Sequence, residues 1–205
     1  MDKKENRTVA KELVWYVSYG SNLLEERFLC YICGGQPKGA SRTYNGCVDK
    51  SLPKDKKGLI INHELYFAKE AKVWHNGGVA FIHREKDLSS KTFGRMYLIT
   101  KDQFLDVVMQ ENALSERPDI DFKAIQKEKN GVLTNANWYN TICYLGEYEG
   151  APIYTFTHHK LISPKVQPHP SYLSTIIAGI KETFKLSESE IHAYLSSKGY
   201  FKELY

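Results

Sequence analysis

An apolar segment that stops at a glycine constrains the fold of this 205-residue chain more than any other feature. Residues 13–19 are aromatic, branched or otherwise apolar apart from one serine, which is typical of a buried strand. Gly20 ends that run, and Asn22 with Glu25 three residues later has the spacing of a reciprocal helix cap. The sequence therefore predicts a strand, a tight turn and then a helix that the glycine pair at 34–35 ends.

Hydrophobic alternation and capping signals divide the rest of the chain into strands and helices, without an internal repeat. The segments 79–83 and 92–99 are predicted to pair with each other across a polar turn. Together, the predicted strands and helices indicate an α+β fold in which a mixed β-sheet or small β-barrel core is surrounded by helices. Strands are expected at 59–61, 64–68, 79–83, 92–99, 138–145 and 152–157. Helices are expected at 104–112 after a capping box of Thr100 and Gln103, at 171–184, and after a capping box of Ser187 and Glu190.

The length of the chain favours a single domain over residues 1–205. Residues 1–11 are mostly polar and are expected to be flexible, and 44–58 mix Asn, Gly, Pro, Asp and Lys and are expected to form a surface excursion. The apolar stretch near the N-terminus is too short for a signal peptide or a membrane span. These features predict a soluble, cytoplasmic protein without a membrane partner.

The net charge of +4 reflects 28 basic and 24 acidic residues, and the only dense basic run is Lys-Asp-Lys-Lys at 54–57. A nucleic-acid surface usually needs a longer stripe of Lys and Arg. A solvated loop is therefore the favoured interpretation of this run, and no nucleic-acid partner is predicted.

Two groups of side chains resemble metal or redox sites only in part. Cys30 and Cys33 have the spacing of a redox or zinc pair, but no second pair follows, which favours free thiols in a reducing compartment. His75 and the pair at 158–159 do not have the helical spacing of metal ligands. The sequence therefore predicts neither a metal nor another cofactor.

The turn at 19–22 admits two interpretations. A strand that runs directly into a helix leaves backbone N–H groups unpaired, and such groups bind an anion or a developing oxyanion. Gly20 permits close approach of a ligand, while Ser21 and Asn22 add short polar side chains. The same residues would serve equally well as a simple strand-to-helix turn with a good cap, and spacing alone does not separate these possibilities.

Glu111 is the second candidate, because its position places a carboxylate on an apolar helix face. It lies seven residues after Phe104 and three after Val108, so all three share one side of the predicted helix. Burial there would raise its pKa and suit it to proton transfer near neutral pH. Alternatively, Glu111 lies in the last turn near solvent and only flanks the apolar stripe.

The order of four motifs carries a family resemblance. Residues 15–23 read Trp-Tyr-Val-Ser-Tyr-Gly-Ser-Asn-Leu, followed by Trp-His-Asn-Gly-Gly at 74–78 and Phe-Gly-Arg-Met-Tyr at 93–97. A helix that ends in an acidic residue comes next, and Pro-His-Pro-Ser-Tyr-Leu occupies 168–173. This order resembles the γ-glutamyl cyclotransferase family over most of residues 14–195.

The resemblance implies an enzyme that needs no cofactor and acts on a small γ-glutamyl substrate. In such an enzyme the α-amine of the substrate attacks its own γ-carbonyl, which yields 5-oxoproline and a free amine, with Glu111 as general base and acid. The alternative is a binding module that holds a small metabolite in the same pocket without turnover. The resemblance implies these substrate-binding residues: Tyr16, Val17, Ser18, Tyr19, Gly20, Ser21, Asn22, Tyr154 and Tyr172, with Tyr139 as a weaker candidate.

Plain packing is the alternative role for each of these tyrosines. The chain also departs from the family in two places, because 44–71 is longer and more charged than a minimal member needs and Asn112 replaces the usual glycine after the catalytic glutamate. These departures leave open which γ-glutamyl amine, amino acid or peptide is the substrate. The oligomeric state is open as well, a homodimer included.

Overall fold

The computed structural model describes residues 11–38, 40 and 42–199. Residues 1–11 were expected to be flexible, and residues 1–10 of this segment lie outside the described residues. The described elements include short 3-10 turns at Ser21–Leu23 and Lys72–Trp74. The strands are β1 Leu13–Ser18, β2 Asp55–Ile61, β3 Leu65–Ala71, β4 Gly77–Ile82, β5 Thr92–Thr100, β6 Asn130–Val132, β7 Thr141–Tyr148 and β8 Ala151–Thr157, and the helices are α1 Glu25–Cys33, α2 Lys101–Asn112, α3 Phe122–Glu128, α4 Pro170–Phe184 and α5 Glu188–Ser197.

A mixed six-stranded sheet forms the centre of the molecule, in the order β2-β5-β1-β8-β7-β6. Strand β1 pairs antiparallel with β5 and parallel with β8, so the chain leaves β1 and β8 at the same end of the sheet. Strands β3 and β4 form a separate antiparallel hairpin. The predicted α+β fold with a mixed sheet and surrounding helices is confirmed.

Strand β1 is buried on both faces, which explains its nearly continuous apolar sequence. Successive side chains of a strand point to opposite faces, so Trp15 and Val17 lie in one core and Val14 and Tyr16 in the other. The first core also contains the β3-β4 hairpin and residues of α4 and α5, and the second contains residues of α1, α2 and α3. The turn after β1 therefore lies where both cores meet.

Two helices fix the surroundings of that turn. Helix α2 begins with the predicted capping box, in which Thr100 and Gln103 satisfy each other's backbone N–H groups. Helix α4 packs directly on the turn, because a Cβ atom added at Gly179 would lie 2.5 Å from backbone atoms of Leu23 and Leu24. The position therefore requires the close approach that only glycine allows.

The pairing of the strands and the structure of two polar segments differ from what the sequence predicted. Strand β4 pairs with β3 rather than with β5, and β5 lies between β1 and β2. Both strands are so apolar that alternation did not identify the partner of either. The predicted surface excursion at 44–58 ends early, because β2 begins at Asp55 and forms the edge of the sheet, with residues that alternate between exposed and half-buried. The polar stretch 115–137 contains α3 and β6, which were not predicted.

Candidate active site

Two side chains of strand β5 form hydrogen bonds to the backbone of the turn after β1. The Tyr97 hydroxyl donates to the carbonyl of Asn22 at 2.9 Å, and the Arg95 guanidinium donates to the carbonyl of Leu23 at 3.2 Å. With these carbonyls turned toward the sheet and α4 packed against Leu23, the turn has a fixed conformation. Gly20, Ser21 and Asn22 of this turn line a cavity, while Leu23 is buried in the core.

Asn22 does not cap the following helix, contrary to the prediction from its spacing with Glu25. Helix α1 begins after Leu24 without a side-chain cap, and Glu25 pairs with Arg95 and Lys56. The Asn22 side chain, only 3% exposed, instead donates from Nδ2 to Glu111 Oε1 at 2.9 Å. Its Oδ1 atom is buried and has no hydrogen-bond partner among the described residues. A buried acceptor without a partner needs a physical explanation, and a ligand or water that binds beside it is one.

Glu111 lies in the last turn of α2 and is partly buried, in agreement with its predicted position on the face of Phe104 and Val108. Burial raises the pKa of its carboxyl above the ordinary value. The positive charge of Arg27 and a hydrogen bond from Tyr31 act in the opposite direction without cancelling the effect on the pKa. The net direction is a raised pKa, which makes the Glu111 carboxylate a stronger proton acceptor than an exposed one.

Asn22 and Glu111 lie in a cavity of about 410 Å³ whose walls are largely aromatic. Polar groups come from the turn, from Glu111 and from the charged side chains of Arg27, Arg42, Glu70 and Lys72, and aromatic walls with a few polar groups are expected of a small-molecule site. Predicted site residues that line this cavity are Tyr16, Ser18, Tyr19, Gly20, Ser21, Asn22, Glu111, Tyr139 and Tyr172. Residues that were not predicted include Arg27, Tyr31, Arg42, Tyr44, Trp74 and Trp138.

Tyr172 and Tyr139 are both hydrogen-bonded to the backbone of one residue of β4, Ala80. The Tyr172 oxygen accepts from the N–H of Ala80 at 3.1 Å, and the Tyr139 hydroxyl donates to the Ala80 carbonyl at 3.2 Å. Burial raises the pKa of Tyr172 to about 12, so its hydroxyl keeps its proton at neutral pH. A Cβ atom at Gly20 would lie 2.9 Å from this hydroxyl, which places Tyr172 directly over the turn. Tyr172 can therefore donate to a ligand held there.

Cysteine and histidine side chains outside the cavity resemble metal or redox sites in the sequence only. In the part of the chain that the structure describes, no three His, Cys, Asp or Glu side chains come together as metal ligands. The four cysteines are free, with Cys30 and Cys33 half-buried on one helix and Cys47 and Cys143 buried.

Among the described helices, none is both long and apolar enough to cross a membrane.

Comparison with solved structures identifies the fold. The structure superposes on the crystal structure of uncharacterized protein loc79017 from Homo sapiens with a TM-score of 0.53 at 18% identity, over 95% of this chain and 92% of that one. It superposes on a γ-glutamyl cyclotransferase with a TM-score of 0.52 at 17% identity, over 95% of this chain and 91% of the other. The chain has the γ-glutamyl cyclotransferase fold. The fold that the sequence motifs implied is thereby confirmed.

Comparison of sequences adds one relative of a different description. The chain is 38% identical over 203 residues to a protein named Histone deacetylase 5 from Arabidopsis thaliana, and the match includes 91% of this chain. The chain spans 31% of the length of that relative. No family model matches the chain.

Two predicted binding residues lie outside the cavity of this γ-glutamyl cyclotransferase fold. The Val17 side chain points to the opposite face of β1 from Tyr16 and packs in the other core, because side chains alternate along a strand. Tyr154 is the partner of Tyr16 in the parallel pairing of β1 and β8. Phe156, two residues later on β8, lines the cavity, but Tyr154 does not. Its hydroxyl accepts from Gln126 Nε2 at 3.0 Å instead.

Arg27 is the most informative residue that the sequence analysis missed. It lies on the buried side of α1 with Phe28 and Tyr31, and it is only 6% exposed. An arginine within an otherwise apolar helical stripe was the signal, because arginine is rarely buried without a partner. Trp74 and Tyr44 had no such signal, because they come from segments whose path across the cavity depends on the tertiary fold.

Glu111→Gln should stabilise the protein at neutral pH while leaving its shape unchanged. A carboxyl whose pKa is higher in the folded than in the unfolded state binds more protons when folded, so its ionisation lowers stability as pH rises through that window. Below about pH 4 the group is protonated in both states and the penalty disappears. The variant is therefore expected to melt above wild type at pH 7, with a difference that shrinks toward pH 4. Thermal melts across this range test the prediction, and a difference independent of pH would contradict it.

Proposed function

We propose that this chain catalyses a γ-glutamyl cyclotransferase reaction, an amide-cleaving cyclisation that releases 5-oxoproline. The observation that supports it most directly is the pairing of Asn22 with Glu111 at the base of the cavity, with a buried free acceptor beside a carboxylate of raised pKa. Such a pair of acceptors suits an alkylammonium group. The α-ammonium of a γ-glutamyl compound is the group that must be held and deprotonated in this reaction.

The proton steps belong to Glu111 in this mechanism. Its carboxylate accepts a proton from the α-ammonium, and the free amine then forms a bond to the γ-carbonyl carbon of the same molecule. In the resulting tetrahedral intermediate the attacking nitrogen carries two hydrogens and a positive charge. Glu111 gives its proton to the leaving nitrogen and takes the second proton from the ring nitrogen. Collapse of the intermediate then breaks the bond to the leaving nitrogen, and Glu111 passes this second proton to the freed amine, which leaves as an ammonium. Atoms and charges balance without a protein nucleophile. A raised pKa improves Glu111 as both acceptor and donor near neutral pH.

Negative charge on the carbonyl oxygen is stabilised by donors around the turn. The first N–H groups of a helical turn have no intrahelical acceptor, and here these are the N–H groups of Ser21 and Asn22, because that of Leu23 donates to the Gly20 carbonyl at 3.0 Å. The Tyr172 hydroxyl, which keeps its proton, lies over the same glycine. Donors fixed before the reaction stabilise a developing oxyanion without reorganisation.

Ring closure also requires the flexible glutamyl chain to curl. Aromatic walls from Tyr16, Tyr139 and Trp74 limit the room available to it. Restricting a chain to a conformer close to the transition state accelerates an intramolecular reaction by removing entropy in advance. The cavity of about 410 Å³ is large enough for a glutamyl group and part of a leaving group.

A substrate panel tests the proposed function. Purified protein is incubated with γ-glutamyl amino acids, γ-glutamyl amines and γ-glutamyl peptides, and 5-oxoproline is quantified. Release from at least one class, at a rate proportional to protein concentration, is the expected result. Stabilisation of the protein by 5-oxoproline without turnover of any compound would contradict catalysis and support a binding module in the same pocket.

A further inference from the structure

Arg27 carries a buried positive charge that acts on the Glu111 carboxyl but forms no ion pair with a carboxylate of the described residues. The side chain is 6% exposed, yet among the described residues no Asp or Glu oxygen lies within ion-pair distance of it. Arg95, buried to the same degree, has both Glu25 and Glu182 at 2.9 Å. Arg27 therefore differs from the arginine that has a structural role in this fold.

The orientation of the Arg27 guanidinium is fixed by neighbours that leave part of it free. Nε donates to Ser21 Oγ at 2.9 Å, and Nη2 donates to the Tyr44 hydroxyl at 3.1 Å. The guanidinium lies over the Trp74 ring at 4.7 Å from its centroid. A guanidinium has five N–H donors, and these contacts use two of them. Further donors remain for a ligand in the cavity that Arg27 lines.

A buried charge without a counter-ion is unfavourable, so a binding site is the usual place to find one. The planar fork of arginine matches a carboxylate, with which it forms two parallel charge-assisted hydrogen bonds. The neighbouring contacts also place it next to the proton-transfer residues. Arg27 bonds to Ser21, Glu111 bonds to the adjacent Asn22, and the Arg27 charge acts on the Glu111 carboxyl.

We propose that Arg27 binds the α-carboxylate of the substrate while Glu111 and Asn22 Oδ1 receive the α-ammonium. This assignment rests on the proposed function and specifies which part of a γ-glutamyl compound the site recognises. The α-carboxylate and α-ammonium are attached to the same carbon, so they need a cation and an anion side by side. Arg27 and Glu111 provide that pair, and the leaving group is not part of this recognition.

Two compounds that differ only by the α-carboxylate test the assignment. L-γ-glutamyl-L-alanine should be cyclised to 5-oxoproline, and 4-aminobutanoyl-L-alanine to 2-pyrrolidone, each with release of alanine. Wild type is expected to favour the first compound by about 100-fold in kcat/KM, the range for charge-assisted hydrogen bonds. In Arg27→Met the preference should fall to about threefold or less, with an intermediate value for Arg27→Lys. Equal losses for both compounds in Arg27→Met would overturn the assignment and leave a structural role.

Arg42→Gln is the matched control, because Arg42 also lines the cavity but is exposed and stacks on Tyr44 at 4.9 Å. It removes one positive charge from the same pocket, and the ratio between the two compounds should stay at the wild-type value. A ratio that falls as far as in Arg27→Met would show a diffuse charge effect and overturn the specific role of Arg27.

A binding measurement separates this inference from the proposed catalysis. It can also be made on variants whose turnover is too slow to measure. Calorimetry compares 5-oxoproline with 2-pyrrolidone, which has the same ring without the carboxylate. Wild type should bind 5-oxoproline at least about 30-fold more tightly, and Arg27→Met should lose that preference. This result in a protein that turns over no γ-glutamyl compound would support the carboxylate site and contradict catalysis. Turnover of a γ-glutamyl compound, with no effect of Arg27→Met on the binding preference, would support catalysis and contradict the carboxylate site.

Discussion

Glu111→Gln is expected to reduce the rate of 5-oxoproline formation by about a thousandfold, because general acid–base catalysis typically contributes 10²–10⁴-fold. Glutamine has the same shape as glutamate and can still accept the hydrogen bond from Asn22 Nδ2, now made to Glu111 at 2.9 Å. It cannot take a proton from the α-ammonium or return one to the leaving nitrogen. The fall should therefore appear in kcat, measured at saturating substrate by 5-oxoproline release.

The control for this prediction is Glu116→Gln. Glu116 is exposed shortly after the end of α2, so the substitution makes the same change of charge away from the cavity. Its kcat should stay within about twofold of wild type, since isolated surface substitutions have small effects. If Glu111→Gln retained wild-type kcat while remaining folded, Glu111 would have no role in proton transfer, and the mechanism proposed for this fold would be wrong.

Gly179→Val is expected to lower the free energy of unfolding by about 3 kcal/mol and to impair activity at a site it does not touch. A Cβ atom at Gly179 would lie 2.5 Å from Leu23 and Leu24, and these are mostly backbone atoms that cannot rotate away. Overpacking of this kind typically costs about 1–3 kcal/mol, and the β-branched valine adds bulk beyond the Cβ. For a domain of this size the melting temperature should fall by about 6–12 °C.

The accompanying loss of activity follows from the position of Leu23 in the active-site turn. Moving α4 away from Leu23 shifts the adjacent Asn22, whose side chain bonds to Glu111. Ser174→Val is the matched control, because Ser174 is exposed on the same helix and the change introduces the same β-branched side chain. The control should melt within about 2 °C of wild type. A Gly179→Val protein with wild-type melting temperature and activity would show that the contact between α4 and the turn is unimportant.

Local signals explain the parts of the fold that were predicted correctly. The capping boxes at Thr100 and Ser187 depend on residues three positions apart, and both are present in the structure. Strand β1 was recognised because burial on both faces requires an apolar residue at almost every position. Pairing of β4 with β3 was not recognised, since strand partners depend on the path of the chain through space.

The site shows the same division between local and spatial information. Glu111 was predicted from its register with Phe104 and Val108 on one helix, and the structure places it in the cavity as expected. Asn22 has the sequence pattern of a helix cap, yet its side chain bonds to Glu111, which is 89 residues away along the chain. A local rule gave Asn22 the wrong partner because the competing partner is close only in the folded protein.

Sequence alone identified a buried strand that ends in the Tyr19–Asn22 turn and an order of motifs that implies a γ-glutamyl cyclotransferase fold. It also placed Glu111 either on the apolar face of a helix or beside that face in the last turn. Only the tertiary structure decided that Asn22 faces Glu111, that Tyr154 and Val17 lie outside the cavity, and that Arg27 is buried without a carboxylate partner among the described residues. The physical reason is that periodicity and capping act over a few residues. A charge or free acceptor acquires its partners from segments that the packing of the two cores brings together.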